Sequence, residues 1–255
     1  MINDLSLSPE GTKFLAVSPF IGSFLTVIAD RLPVREPFMF SRSRSDCCNK
    51  KLSAIDLIPL LSWAYLLGRC RHCKRKISIR YPVTEISSVL IALWACICLP
   101  VSLQWIGCIF GWLLLTLSLA DIRYYVLPDL MNLVLLLFGF LVVLLFNRDN
   151  FFDYALGAII GFLLLYGASV IYTSLGKTEG LGGGDIKLFA AIGAWVSWTG
   201  LPSVLFIACW TAICIYLVKS LRTGNISRKE RIPFGPFLCI GAWITWIHGP
   251  LEIAF

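Results

Sequence analysis

The sequence predicts an all-α polytopic membrane protein with about eight transmembrane helices and a small Cys-containing cytoplasmic domain between the first two. Three observations predict it. Of the 255 residues, 58% are apolar and only 15% are charged, which is far from the balance of a soluble domain. The apolar residues gather into long windows instead of being spread along the chain. The Lys and Arg residues behind the net charge of +7 lie almost entirely between those windows. That placement marks the cytoplasmic face of a membrane and not a nucleic-acid surface, so no nucleic-acid partner is expected.

Taken in order, residues 1–12 carry Asp4 and Glu10 and no Lys or Arg. This is the wrong charge for a secretory leader, so the first apolar window, 14–29, is expected to be a retained helix. Residues 31–82 then hold twelve Lys and Arg, and so dense a cluster places the loop in the cytoplasm. Seven more windows follow at 83–99, 103–120, 128–146, 154–175, 186–198, 202–218 and 234–247. The longer ones readily cross a hydrocarbon core of about 30 Å. The window 186–198 is the weakest, being short and containing Gly193. Gly157 and Gly161 form a GxxxG pair that lets a neighbouring helix approach closely. With eight spans, twenty of the twenty-two Lys and Arg fall inside, leaving Lys13 and Arg148 outside. Both termini are then extracytoplasmic. The domains expected are an N-terminal transmembrane helix (1–30), a cytoplasmic Cys-containing loop domain (31–82) and a catalytic transmembrane helical domain (83–255).

The most informative polar stretch is Gly180-Leu181-Gly182-Gly183-Gly184-Asp185. Its glycines let another backbone come close, and an ionisable residue follows at once. A phosphate-binding reading fails on context, because such loops join a strand to a helix. A plain turn whose Asp caps the next helix is the simple alternative. A second acid, Asp121, ends the third span, and the span count brings it to the same cytoplasmic edge as Asp185. A carboxylate in a membrane helix costs about 2.5–3.5 kcal/mol on insertion scales and is a functional hypothesis by default. Two at one depth can share a proton and so provide one acid and one base to activate a water. Otherwise each neutralises its neighbour, Arg123 or Lys187, but residues two apart on a helix do not face each other. A transporter or channel that binds a proton or cation at the two acids is the alternative from another class. Asp129 follows Leu127-Pro128, where it suits a helix start and reads as structural or supporting. Asp30, Glu85 and Glu179 fall at interfaces, where solvated charge is expected.

Ten cysteines divide into two groups. Six lie in apolar windows and read as small packing residues. Cys47, Cys48, Cys70 and Cys73 lie in the cytoplasmic loop, with Cys70-Arg71-His72-Cys73 forming a CxxC knuckle. The pattern points to a structural zinc site, although Cys47 and Cys48 are adjacent where ligand pairs are normally separated. His72 is a substitute ligand; free reduced thiols or a redox pair are the other readings.

The whole pattern resembles the type IV prepilin peptidases, membrane aspartic proteases with a GxGD signature. Gly22-Ser23-Phe24-Leu25-Thr26-Val27-Ile28 leading to Arg31-Leu32-Pro33 resembles the family's first-helix motif, with Thr26 where Asn is usual. Ile58-Pro59, Ser62-Trp63, Gly68 to Cys73 and Arg80-Tyr81-Pro82 with Glu85 resemble the family's cytoplasmic loop. Asp121 with Leu127-Pro128-Asp129 matches the first catalytic segment, and Gly182-Gly183-Gly184-Asp185 with Lys187-Leu188 the second. Ile232-Pro233-Phe234-Gly235-Pro236 matches the start of the last helix.

The resemblance implies an aspartic endopeptidase of the bacterial inner membrane with its active site facing the cytoplasm. Such enzymes serve type IV pili or type II secretion. They cut the basic leader of type IV prepilins or pseudopilins after a glycine, and many then methylate the new N-terminus with S-adenosylmethionine. Asp121 and Asp185 carry over as catalytic, with Gly182, Gly183, Gly184, Asp129 and Lys187 supporting the substrate. Many members have two CxxC pairs; here Cys48 takes the second position of the first pair but Ser45 the first, with Cys47 offered in its place. A basic leader meeting a basic face needs help, for which membrane lipid of negative charge, or an acidic patch of Glu85, Asp46 and Asp56, is expected.

Overall fold

The computed structural model describes residues 9–34, 48, 50, 53, 55–175, 182–223 and 232–251. Ser45, Asp46, Cys47, Glu179, Gly180 and Leu181 lie outside the described residues. The helices are α1 (Pro9–Arg31), α2 (Leu61–Tyr65), α3 (Arg80–Cys98), α4 (Val101–Tyr124), α5 (Asp129–Phe146), α6 (Phe151–Ser174), α7 (Gly183–Thr223) and α8 (Gly235–His248). Among the described residues there is no strand, only one isolated bridge between Arg69 and Lys76. Among the described residues, six helices are long and apolar enough to cross a membrane. The chain divides into two compact units, Met1–Thr116 and Leu117–Phe255.

In the first unit α1 lies antiparallel to α3. Three cross-contacts set the direction: Cys96 faces the Gly11 carbonyl, the Ser88 hydroxyl donates to Ser18 O at 2.6 Å, and Gly22 approaches Glu85. The approach at Gly22 is close enough that a Cβ there would sit 2.8 Å from Glu85 Cα. Polar residues fill this seam: Ser18, Thr26, Thr84 and Ser88 are all buried. Their hydroxyls are satisfied largely by backbone carbonyls, as hydrocarbon surroundings demand. Trp112 adds an indole N–H donated to Ser88 O at 3.1 Å.

Glu85 corrects the reading of it as a solvated interfacial charge. It is only 5% exposed, and its Oε2 accepts the Leu60 N–H at 2.8 Å. The reason is register. Helix α3 begins at Arg80, so Glu85 lies more than a turn inside, on the face pressed against α1.

The second unit is built on α7. The two windows 186–198 and 202–218 form one continuous element broken at Ser197, whose backbone is non-helical (φ 59°, ψ 178°). Pro202 lies just beyond, where it lacks an N–H and crowds the carbonyl four residues back. Partners on α8 show that the chain turns back at the break. Before the break, Asp185 lies within reach of Cys239 and of Asp121, which bonds Gly235 at the start of α8, and Trp195 stacks edge-on with Trp246 near its end; past the break Gly200 meets Thr245 and Val204 meets Gly241. The two halves of α7 therefore run in opposite senses beside α8. This resolves the six long helices and the short α8 into the eight expected segments.

Helix α6 packs against the first half of α7 through the predicted glycine pair. Cβ atoms at Gly157 and Gly161 would meet Gly193 O at 2.5 Å and Phe189 O at 2.8 Å. Gly193, which made its window look weak, is the residue that permits the crossing. A Gly157→Ala variant is expected to lose roughly 1–3 kcal/mol by overpacking. Thermal unfolding in detergent measures it, and an unchanged Tm would show that the helices can separate without cost. Along α5, the residues that face α7 are buried, Leu135 and Val143 among them. The opposite face exposes Leu133, Leu137, Leu141 and Leu144, as a lipid-facing surface does.

Candidate active site

Asp121 lies near the C-terminal end of α4 and is 6% exposed. The chain leaves α4 through Tyr125, which adopts positive φ (54°), and extends through Pro128 into α5. Asp185 lies in the first turn of α7, its N–H donating to Gly182 O at 3.0 Å. The two carboxyls stand within Coulombic reach of each other and of the buried Cys239 thiol, which hydrogen-bonds Ser118. Asp121 Oδ2 also accepts the Gly235 N–H at 2.9 Å from the start of α8. Gly235 stands in the sequence motif at the start of the last helix, with nothing local to mark a part in the site. Its partner is 114 residues away, and no local pattern predicts such a contact.

The glycines divide by surroundings. A Cβ at Gly184 would sit 2.9 Å from Leu127, and one at Gly182 would sit 3.2 Å from Asp185 Oδ2, whereas Gly183 has open space around it. Lys187 points away from Asp185 and pairs with Asp129 at 2.7 Å. Both partners are more than half exposed, so the pair contributes little stability. It ties α5 to α7 at the end where Leu127 rests on Gly184. Asp121, Asp129, Asp185 and Lys187 thus share one end of this unit.

In the first unit the Cys70–Cys73 loop forms a tight knuckle. Cys70 N donates to Arg75 O at 2.8 Å, Lys74 N donates to Cys70 O at 3.0 Å, and Lys74 takes positive φ. Cys48 comes to 4.0 Å from Cys70, and the Sγ atoms of Cys48, Cys70 and Cys73 all lie within 4.8 Å of one another. Tetrahedral thiolates at Zn–S of 2.3 Å stand about 3.8 Å apart, so the three thiols fit a metal of that kind. Cys47 lies outside the described residues, and His72 is exposed.

Asp56 braces this knuckle. It pairs with Arg71 at 2.7 Å and accepts the Ser53 hydroxyl at 2.8 Å. Burial pushes its carboxyl up, but the Ser53 hydroxyl and amide and the Arg71 guanidinium outweigh this and hold it below the ordinary value of 3.8. A depressed value means that the stabilisation is complete above the ordinary value and is lost as pH falls through the lowered one. Cleavage of the loop by an acid-active protease is therefore expected to rise below about pH 4, and Asp56→Asn should show that susceptibility already at neutral pH. A wild-type loop equally resistant at pH 3 and pH 7 would rule this out. With Glu85 buried and Asp56 paired, the expected acidic patch does not form from these two residues.

Residues 16–99 match the Bacterial Peptidase A24 N-terminal domain, and residues 108–217 match the Type IV leader peptidase family. Proteins named "Prepilin leader peptidase/N-methyltransferase" are similar over most of the chain. The one from Aeromonas salmonicida (strain A449) is 34% identical, covering 91% of this chain and 88% of the relative. That from Dichelobacter nodosus is 31% identical over 98% and 96%. That from Burkholderia pseudomallei (strain 1026b) is 37% identical over 86% and 71%. No solved structure matches. With both halves matched and relatives aligned nearly end to end, the chain belongs to the type IV leader peptidase family.

Proposed function

We propose that this chain is a bacterial inner-membrane aspartic endopeptidase. It removes the basic leader of type IV prepilins or pseudopilins after a glycine, at the cytoplasmic edge of the membrane, and then methylates the new N-terminus. The observation that supports the reading is that Asp121, buried near the end of α4, and Asp185, in the first turn of α7, lie within Coulombic reach of each other. One carboxylate takes a proton from water as its oxygen attacks the scissile carbonyl; the other, protonated, donates to that carbonyl. Collapse of the tetrahedral species breaks the C–N bond, and the leaving nitrogen takes up a proton. The room beside Gly183 lets an extended backbone lie next to Asp185. Asp129 and Lys187 form an exposed ion pair between α5 and α7 beside it.

In the second reaction the exposed amine attacks the methyl carbon of S-adenosylmethionine, the S–C bond breaks, and the amine gives up a proton. The names of the relatives support this step. In the loop domain (31–82), Cys48, Cys70 and Cys73 would hold a structural zinc; Cys47, the fourth thiol of the sequence pattern, lies outside the described residues. Zinc there supplies folding energy, with no part in the cleavage chemistry.

The test is cleavage of a membrane-inserted prepilin, with the new N-terminus read by mass spectrometry with and without S-adenosylmethionine. A product starting after glycine, and heavier by one methyl group only when the donor is present, is expected. Failure to cleave any prepilin would overturn the reading. Transport is disfavoured because the acids lie at helix ends, whereas transporter sites sit near the midplane.

A further inference from the structure

The start of α8 meets Asp121 through a sequence that leaves one donor and no side chain. Helix α8 opens Phe234-Gly235-Pro236-Phe237. The first N–H groups of a helix have no partner within it. Here Pro236 has no N–H to give, and the Phe237 and Leu238 amides donate back to Phe234 O at 3.1 and 3.2 Å. The Gly235 N–H remains, and it is spent on Asp121 Oδ2 at 2.9 Å in a buried setting. A Cβ on residue 235 would lie 2.7 Å from the same oxygen and 3.2 Å from Asp121 Cγ, so the contact requires glycine. Among the described residues, Asp121 Oδ1 accepts no hydrogen bond.

We propose that Gly235 and Pro236 are a positioning clamp for Asp121. The Gly235 amide holds Oδ2, Pro236 keeps a competing donor away, and Oδ1 is left to take the proton from the attacking water. The water O–H bond breaks as its oxygen bonds the scissile carbon, and the proton rests on Oδ1 until the leaving nitrogen collects it. This inference rests on the peptidase reading and assigns that site its geometry.

The experiment measures kcat and KM for prepilin cleavage by the full-length purified protein, together with Tm. Gly235→Ala is expected to lower kcat by about 100-fold, the scale of a misplaced catalytic group, with KM within about threefold. Gly241→Ala is the packing control. It lies on the same helix, where a Cβ would press on Val204 O; it should lower Tm but keep kcat per folded molecule. Pro236→Ala adds an N–H without adding bulk at 235 and should lower kcat several-fold with KM held. If Gly235→Ala does not fold, Pro236→Ala carries the test. Wild-type kcat in whichever variant folds, or equal losses in Gly235→Ala and Gly241→Ala, overturns the clamp. Asp121→Asn separates the two levels. Should it still cleave, the peptidase reading of Asp121 falls with the clamp; should it be inactive while Gly235→Ala works normally, only the clamp falls.

Discussion

Asp121→Asn and Asp185→Asn each slow prepilin cleavage by roughly 10²–10⁴-fold, the range expected when a positioned acid or base is removed. In transition-state terms this is about 3–5 kcal/mol. The losses should not add, because the two carboxyls act on one water, so the double variant is about as slow as the worse single one. Folding should survive both changes: Asn preserves the shape of Asp, and neutralising one of two neighbouring acids removes repulsion. Asp129→Asn, by contrast, loses only an exposed ion pair with Lys187 and should stay within a few-fold of wild type. Cleavage rates read by mass spectrometry on proteins of matched Tm decide this. Full activity in Asp121→Asn with inactive Asp129→Asn would move the partner of Asp185 to α5.

The second large effect concerns the thiol cluster. Purified protein is expected to carry about one zinc per chain, and Cys70→Ser or Cys73→Ser should abolish its retention. Structural zinc contributes on the order of 10–16 kcal/mol to folding in zinc-finger peptides, far more than a short knuckle with little core supplies for itself. Loss of the metal should therefore open residues 48–77 to proteolysis while leaving the membrane helices intact. Metal stoichiometry and limited proteolysis report the two outcomes independently. Cys47→Ser is informative because Cys47 is one candidate for the fourth ligand: retained zinc in that variant would favour His72 or water. A metal-free protein with a protease-resistant loop would leave the thiols as packing residues.

Much of the architecture was legible because membrane insertion leaves coarse marks. A helix that must satisfy its backbone within hydrocarbon reads as an unbroken apolar window, and all eight windows reappear as helical segments. The Gly157–Gly161 spacing announced a close crossing before its partner was known, since small residues at i and i+4 share one helix face. The CxxC knuckle was equally legible, being local. At the candidate site the two acids could be placed at one membrane edge by counting spans, which uses chain direction alone.

What counting could not reach was rotation and partnership. Each residue turns the helix by about 100°, so a shift of one position decides whether a polar group meets a neighbour or lipid. Glu85 was misread for that reason: its identity and depth were plain, but not that it faces Gly22 and Leu60. The choice of Asp129 by Lys187, the reversal at Ser197 and the approach of Cys48 to Cys70 likewise depend on how distant elements pack. The sequence by itself determined the membrane class, the segments, the paired acids and the thiol knuckle, because these follow from composition and local spacing. Only the tertiary structure decided that the Gly235 amide takes one oxygen of Asp121, because a contact spanning 114 residues is set by packing and leaves no periodic trace in the chain.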